Sequence, residues 1–394
     1  MTKHITPPEQ FSFSDNQAEG TEWKSTLQRI TEQFSKWSAS TYADKGFPHR
    51  EIDLLRRLGF FAITLPGEPL AMGGHHTADL LQLLKLVGRG NLSVGRIYEG
   101  HINALLLIHL YGTREQQRDF YRDARTGHLF GVWNTEMRDG VHLHQQIGSS
   151  ELRVEGSKSF CSGSTFVTRP IVPGRLHAPD GTALGWQMAV VRLDEHELPV
   201  DQSFWQPLGM CNSVSHKIDF SGLYLPPEQV IGAPDEYEQQ PYFSGGAIRF
   251  AAVHLGAAEA LLDETRNFLA KINRTDDCHQ RTRVAAMAMR CETGNLWLDR
   301  AGGVNDNPTS SAEQIVNSAN MTRTVIADIC AECLGLAERC VGARGLLHPE
   351  PFARLHTDLS MYLRQPAPDA TQELVGQHYL NDLRPFHTTR TTTA

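Results

Sequence analysis

The chain has no long apolar run. Nowhere do its 394 residues approach the ~18 consecutive apolar positions of a membrane-spanning helix. Its first residues, MTKHITPPEQFSFSDNQ, hold no apolar core of a signal peptide. These absences predict a cytoplasmic protein with no membrane segment. A cysteine framework is missing too: the seven cysteines are odd in number and irregularly spaced, which fits reduced thiols better than a disulfide scaffold. Nor is there an excess of positive charge. The net charge is -8, with Lys and Arg scattered rather than striped, which excludes a basic track for nucleic acid. No internal repeat is visible.

Cys330 and Cys333 form a CxxC, a spacing that metal and redox sites use. They lie, however, in a stretch where Ile315, Ala319, Thr322, Ile326, Ile329, Cys333, Leu336 and Cys340 recur at alternating steps of four and three. That is the apolar seam of one helix, on which Cys is a small hydrophobe. No second ligand pair follows, so no metal is expected.

Three zones separate by periodicity. Residues 1–126 read as all-helical: in HTADLLQLLKLVGRG, Thr77 is a candidate N-cap and Leu80, Leu81, Leu84 and Val87 share a stripe. In residues 127–235 the period falls towards two and turn residues crowd in; FGVWNTE, SELRVEGSKSFCSG, GWQMAVVRLD and SHKIDFSGLYLP read as strands. Helical spacing returns over residues 236–394, with Ala251, Leu255, Ala258, Leu262 and Leu269 on one face and Ser310 with Glu313 as a candidate capping box. Long helices with such broad apolar faces must pack on one another as a bundle or pair between subunits.

Five segments, in this order, resemble the acyl-CoA dehydrogenase superfamily. LRRLGFFAITLPGEPLAMGG is similar to the family's helix end, short extended piece and Gly-Gly turn. GRGNLSVG with HLYGTREQQRDFY resembles the close of its first helical domain. VWNTE and GSKSFCSG resemble its two flavin-contacting strands, and LGMCNSVSHKIDFSGLYLPPEQVIG the end of its β-domain. GLAERCVGARGLLHPEPFARLHTDLSMYL resembles its penultimate helix, glycine turn and last helix. The resemblance covers roughly residues 45 to 380. It implies an N-terminal helical domain, a central antiparallel β-barrel or sandwich and a C-terminal four-helix bundle around a flavin, FAD or, for a monooxygenase, FMN.

A flavin ring needs an apolar slot, an aromatic wall and donors near its pyrimidine edge and N5. Trp133, Thr135, Phe160 and Ser162 offer that combination. By resemblance Thr135 reaches the ring, Phe160 is the wall and Ser162 donates near N5. The resemblance also implies that Arg339, Gly342 and Gly345 reach the cofactor of a partner subunit, hence a homodimer or homotetramer. The family's arginine and Phe-Gly after the first C-terminal helix are replaced by KINRTDDCHQRTRVAAM, in which Arg274 or Arg281 would face the pyrophosphate. The loop after VWNTE reads MRDGVHLH where the family holds the CoA tail.

The largest departure concerns the base. Family dehydrogenases remove an α-proton with a glutamate a little past the Arg-Asp of the last helix. Counting without gaps from Asp358 puts Pro366 there. With an insertion of about three residues Asp369 becomes the base, with Arg364 beside it to neutralise it or bind substrate. The alternative position, before the arginine of GGAIRFAAV, is Ile248. Three readings follow. The first is an FAD-dependent α,β-dehydrogenase of an acyl thioester or related activated carbonyl, with hydride transfer to flavin N5, served by an electron-transfer flavoprotein. The second is a monooxygenase supplied by a flavin reductase, with His101, Asn134 and Ser162 polarising the flavin face. The third is a flavin-binding protein that has lost its base.

Overall fold

The computed structural model describes residues 22–347 and 349–386; the N-terminal reading above lies outside them. Five helices come first: α1 (Glu22–Asp44), α2 (His49–Arg57), α3 (Thr77–Gly90), α4 (Leu92–Tyr111) and α5 (Arg114–Arg125). Strands follow: β1 (Phe130–Val132), β2 (His142–Gln145), β3 (Leu152–Glu155), β4 (Ser157–Cys161), β5 (Arg169–Ile171), β6 (Gly174–His177), β7 (Ala183–Ala189), β8 (Val200–Asp201), β9 (His216–Asp219), β10 (Tyr224–Leu225) and β11 (Val230–Ile231). The chain then returns to helix in α6 (Tyr242–Gly245), α7 (Ala247–Lys271), α8 (Cys278–Asp306), α9 (Ala312–Gly345), α10 (Phe352–Tyr362) and α11 (Pro368–Asn381).

This is the expected order: helical domain, β-rich domain, helical bundle. The strands form a six-stranded sheet in the order β10-β3-β2-β6-β7-β11, a three-stranded sheet β4-β9-β8 and the pair β1-β5. Most pairings are antiparallel, but β2 with β6 and β1 with β5 run parallel, which the expectation of an antiparallel barrel or sandwich did not include.

The cysteine seam is as read. Ala319, Thr322, Ile326, Ile329, Cys330, Cys333 and Cys340 are buried on α9, and both cysteines of the CxxC are free thiols in the core. α9 packs on α7 and α8, and α7 packs on α3, so the first helical domain and the bundle share one interface. Contact there is so close that a Cβ on Gly256 would meet the Lys85 carbonyl oxygen at 2.0 Å; only glycine fits.

Three local expectations shift. Thr77 opens α3 rather than capping it; its N–H donates to Asp306 Oδ2 at 2.9 Å, tying α3 to the end of α8. The capping box belongs to Ser311 and Gln314, one residue on from Ser310 and Glu313. The extended piece expected in LRRLGFFAITLPGEPLAMGG is a run of turns. Among the described residues no helix is long and apolar enough to cross a membrane.

Candidate active site

β1 runs into the loop Trp133–Glu136, and β4 returns beside it: Ser159 N–H donates to the Thr135 carbonyl at 3.0 Å. The β4–β9 register shifts between Lys158 and Cys161, and Phe160 takes a left-handed φ of 55°. This irregularity turns the Phe160 ring out of the sheet. It is 43% exposed and meets Phe204 and Trp205 edge-on, with ring centroids 5.2 and 5.9 Å away. Beside it Thr135 is exposed. An open aromatic wall next to strand-edge hydroxyls fits a planar, half-apolar group such as a flavin ring.

Trp133 does not form part of that wall. Its ring is in the core, and its indole N–H donates to the Ser162 carbonyl at 3.0 Å, so it braces the segment from behind. Asn134 is held by two groups: its side-chain oxygen accepts from Trp186 Nε1 at 3.1 Å, and its carbonyl accepts from Lys158 Nζ at 3.2 Å. Lys158 is fully buried, pairs with Glu136 at 2.6 Å and lies 4.6 Å over the Trp186 ring.

Ser162 ends a chain of hydroxyls. Ser213 Oγ donates to the Met210 carbonyl at 2.9 Å, Ser213 and Ser215 are 2.8 Å apart, and Ser215 and Ser162 are 2.9 Å apart. A carbonyl can only accept, so the Ser213 proton points at Met210. Ser215 must then donate to Ser213, and Ser162 to Ser215. The Ser162 proton is thereby committed to Ser215, which leaves its oxygen free to accept, where the sequence suggested a donor.

His101, expected at the substrate, lies inside the core instead of on an open surface. It is completely buried; its Nε2–H donates to the Phe61 carbonyl at 2.8 Å and its Nδ1 accepts from the Phe130 N–H at 3.0 Å. Both nitrogens are used, and the imidazole locks α4 to β1. Burial lowers its pKa to about 4, so it is neutral.

A half-buried polar cluster lies between α4, α7 and α10, where sequence reasoning named nothing. Gly100 of α4 faces Gly131 of β1, with Arg96 beside it. Arg96, Glu99 and Asn103 recur on one face of α4. Arg96 Nη1 donates to Glu99 Oε2 at 2.8 Å, the Asn103 side-chain amide donates to the other Glu99 oxygen, and Arg249 Nε of α7 donates to Asn103 Oδ1. Tyr362 of α10 and Tyr237 complete the cluster; burial, with Glu99 next, pushes both phenols up, Tyr237 to about 12. The signal was present in the sequence as a polar stripe in an otherwise apolar helix.

The base segment follows α10. Asp358 of α10 is buried and accepts from Met210 N–H at 2.6 Å, joining α10 to the loop that carries the serine chain. Burial raises its carboxyl above the ordinary range. Pro366 stands where the ungapped count puts it, exposed, and its carbonyl accepts from Arg323 Nη2 at 2.8 Å. Asp369 is exposed in the first turn of α11, and Arg364 is exposed too. Neither joins the polar cluster. Ile248 is in the core. Arg339 is exposed on α9, which breaks at Gly342, whose φ of 58° is left-handed. Arg274 pairs with Asp277 and lines a groove of about 1090 Å³ with residues of α1, α7 and α8. Arg274 and Arg249 lie at opposite ends of α7, roughly 35 Å apart at helical rise.

The chain belongs to the acyl-CoA dehydrogenase family. Residues 18–128 match the model of the acyl-CoA dehydrogenase N-terminal domain and residues 248–362 that of the C-terminal domain. It is 22% identical over 371 residues to the putative acyl-CoA dehydrogenase YdbM of Bacillus subtilis, covering 88% of this chain and 93% of that one. It is 24% identical over 249 residues to dibenzothiophene monooxygenase of Rhodococcus erythropolis, covering 59% of each. The crystal structure of FMN-bound TdsC from Paenibacillus sp. A11-2 has the same fold, with a TM-score of 0.81 at 18% identity over 90% of this chain and 96% of that one.

Proposed function

We propose that this family member, a flavin-dependent oxidoreductase, is the oxygenase of a two-component system that takes reduced flavin, FMN or FAD, from a separate reductase. The observation that carries this reading is the place of the missing base. Dehydrogenation needs a proton acceptor within about 3 Å of the substrate α-carbon's proton. Pro366 has only its carbonyl to offer, and that oxygen is held by Arg323. The buried carboxylate nearby, Glu99, is engaged by Arg96 and Asn103. The similarity to dibenzothiophene monooxygenase and to FMN-bound TdsC supports the same reading.

Bound in reduced form, flavin supplies the two electrons with which O2 places one oxygen atom on the substrate and one in water. The chain's residues would hold and orient it: Phe160 and Trp205 as the aromatic wall, with Thr135, Asn134 and Ser162 as the polar groups beside it. A Ser162 acceptor complements the N–H that reduction puts on flavin N5; the oxidised ring has no proton there. Wild-type protein is therefore expected to bind reduced FMN more tightly than oxidised FMN. Ser215→Ala frees the Ser162 hydroxyl to turn and should shrink that ratio roughly fivefold, the worth of about one hydrogen bond. Anaerobic titrations of both redox forms measure it; an unchanged ratio in Ser215→Ala would remove the serine chain from the account.

Dehydrogenation of an acyl substrate is the second reading, favoured by the length of the match to YdbM. In it Asp369 is the base, and an electron-transfer flavoprotein takes the electrons. Either chemistry is consistent with a homo-oligomer. Met289 and Leu296 of α8 and Leu374 and Leu380 of α11 are exposed, the kind of apolar surface that self-association covers. Arg274, Arg339 and Gly342 would then serve the cofactor of a second copy.

A further inference from the structure

The Arg96–Glu99–Asn103–Arg249 cluster has more positive charge than it needs to hold itself together. Two guanidiniums share one carboxylate: Glu99 binds Arg96 directly and reaches Arg249 only through the Asn103 amide. Glu99 is also the carboxylate whose charge acts on Arg249. The guanidinium of Arg249 makes its hydrogen bond through Nε, which leaves its amino nitrogens available.

One further group beside the cluster is unsatisfied: the Tyr362 hydroxyl, next to Arg96, is buried with no acceptor for its proton. The His254 ring meets Tyr362 edge-on at 4.5 Å. A buried polar group without a partner is costly unless a ligand satisfies it.

The cluster is also an opening rather than packed core. The Arg96 side chain keeps 29% of its surface, while Glu99 beneath it keeps 3%. That combination describes the floor of a cleft. At its outer edge stand exposed Tyr242 and Phe243, with the Phe243 ring 5.4 Å from that of Tyr237. The cleft thus has aromatic lips and a cationic floor.

We propose that this cleft binds the substrate by an anionic group, a carboxylate or a sulfur or phosphorus oxyanion, held between Arg249, Arg96 and the Tyr362 hydroxyl. A planar guanidinium with free amino nitrogens pairs with two oxygens of such a group, and the phenol adds a third donor. The aromatic lips suit an apolar body. This deepens the flavin-oxidoreductase reading by giving its substrate a charge, but its test is binding and does not require turnover.

The test is calorimetric titration of the FMN-loaded protein with acetate, benzoate, methanesulfonate and phosphate, each against a neutral partner of like shape, benzamide for benzoate. At least one anion is expected to bind tenfold or more tightly than its neutral partner. Arg249→Met should remove that preference. Because this change also breaks the bridge to Asn103, Tyr362→Phe is the second variant; it deletes only the hydroxyl whose proton lacks an acceptor and should weaken the anion several-fold while leaving the neutral partner unchanged. Arg249→Lys, which keeps charge without the planar fork, should lie between. No preference for any anion, or a preference that survives both Arg249→Met and Tyr362→Phe in folded protein, overturns the proposal. Failure of oxygen transfer would count against the oxygenase reading and would leave this binding result standing.

Discussion

Lys158→Met is expected to destabilise the protein by about 2–4 kcal/mol and to weaken flavin binding roughly tenfold. The ammonium is completely buried, and its loss strands Glu136 and the Asn134 carbonyl. Burial pulls the Lys158 pKa down, and its hydrogen bond to Glu136 only partly offsets this, so the residue is held at a cost that the fold meets through these contacts. Glu136 keeps 29% exposure and can rehydrate, which holds the loss below that of breaking a fully buried pair. Flavin affinity falls because Lys158 fixes the Asn134–Glu136 loop from inside the sheet. Urea unfolding gives the first quantity and FMN titration the second. A stability loss without any change in flavin affinity would mean that this loop does not touch the cofactor.

Acid should unfold the protein through two histidines. His101 titrates near 4 and His254 near 3 in the folded state, both lowered first by burial, against about 6.5 in an unfolded chain. The folded state therefore binds fewer protons below pH 6.5. The stability these residues contribute is fully present above that pH. It is lost as pH falls through about 4 for His101, and further for His254. Asp358, raised by burial, works in the opposite direction. His101→Gln keeps a donor and an acceptor but cannot titrate. It should reduce the loss between pH 7.5 and 4.5 by about 2–3 kcal/mol. Equal pH slopes for variant and wild type in denaturant titrations would contradict the neutral, doubly bonded His101.

What the sequence made legible follows from periodicity. The α9 seam could be read because eight positions repeat over seven turns, which no other structure satisfies, and that reading also explains away the CxxC. β2, β5, β6, β8 and β11 have two to four residues each, too short for an alternation to show; parallel pairing of β2 with β6 is invisible for the same reason. Thr135, Phe160 and Ser162 could be singled out because their segments stand in family order, and the fold brings those segments side by side. The hydrogen bonds of His101 were not legible because its partners, Phe61 and Phe130, come from turns and a strand that its own helix does not reveal. Arg249 meets Asn103 across 146 residues, a pairing that one chain does not disclose. The direction of the Ser162 proton depends on a carbonyl in a different loop.

The central claim is that electrons pass from reduced flavin to O2 and then to an organic substrate, with no α-proton removed by a carboxylate. The most direct measurement is mass spectrometry of products formed under 18O2 by the protein with FMN, a flavin reductase, NADH and a panel of organic acids. The account predicts a product carrying one 18O atom, unaffected by Asp369→Asn. It is contradicted if no label enters any product and, without oxygen, an acyl thioester instead bleaches the oxidised flavin in a reaction that Asp369→Asn abolishes.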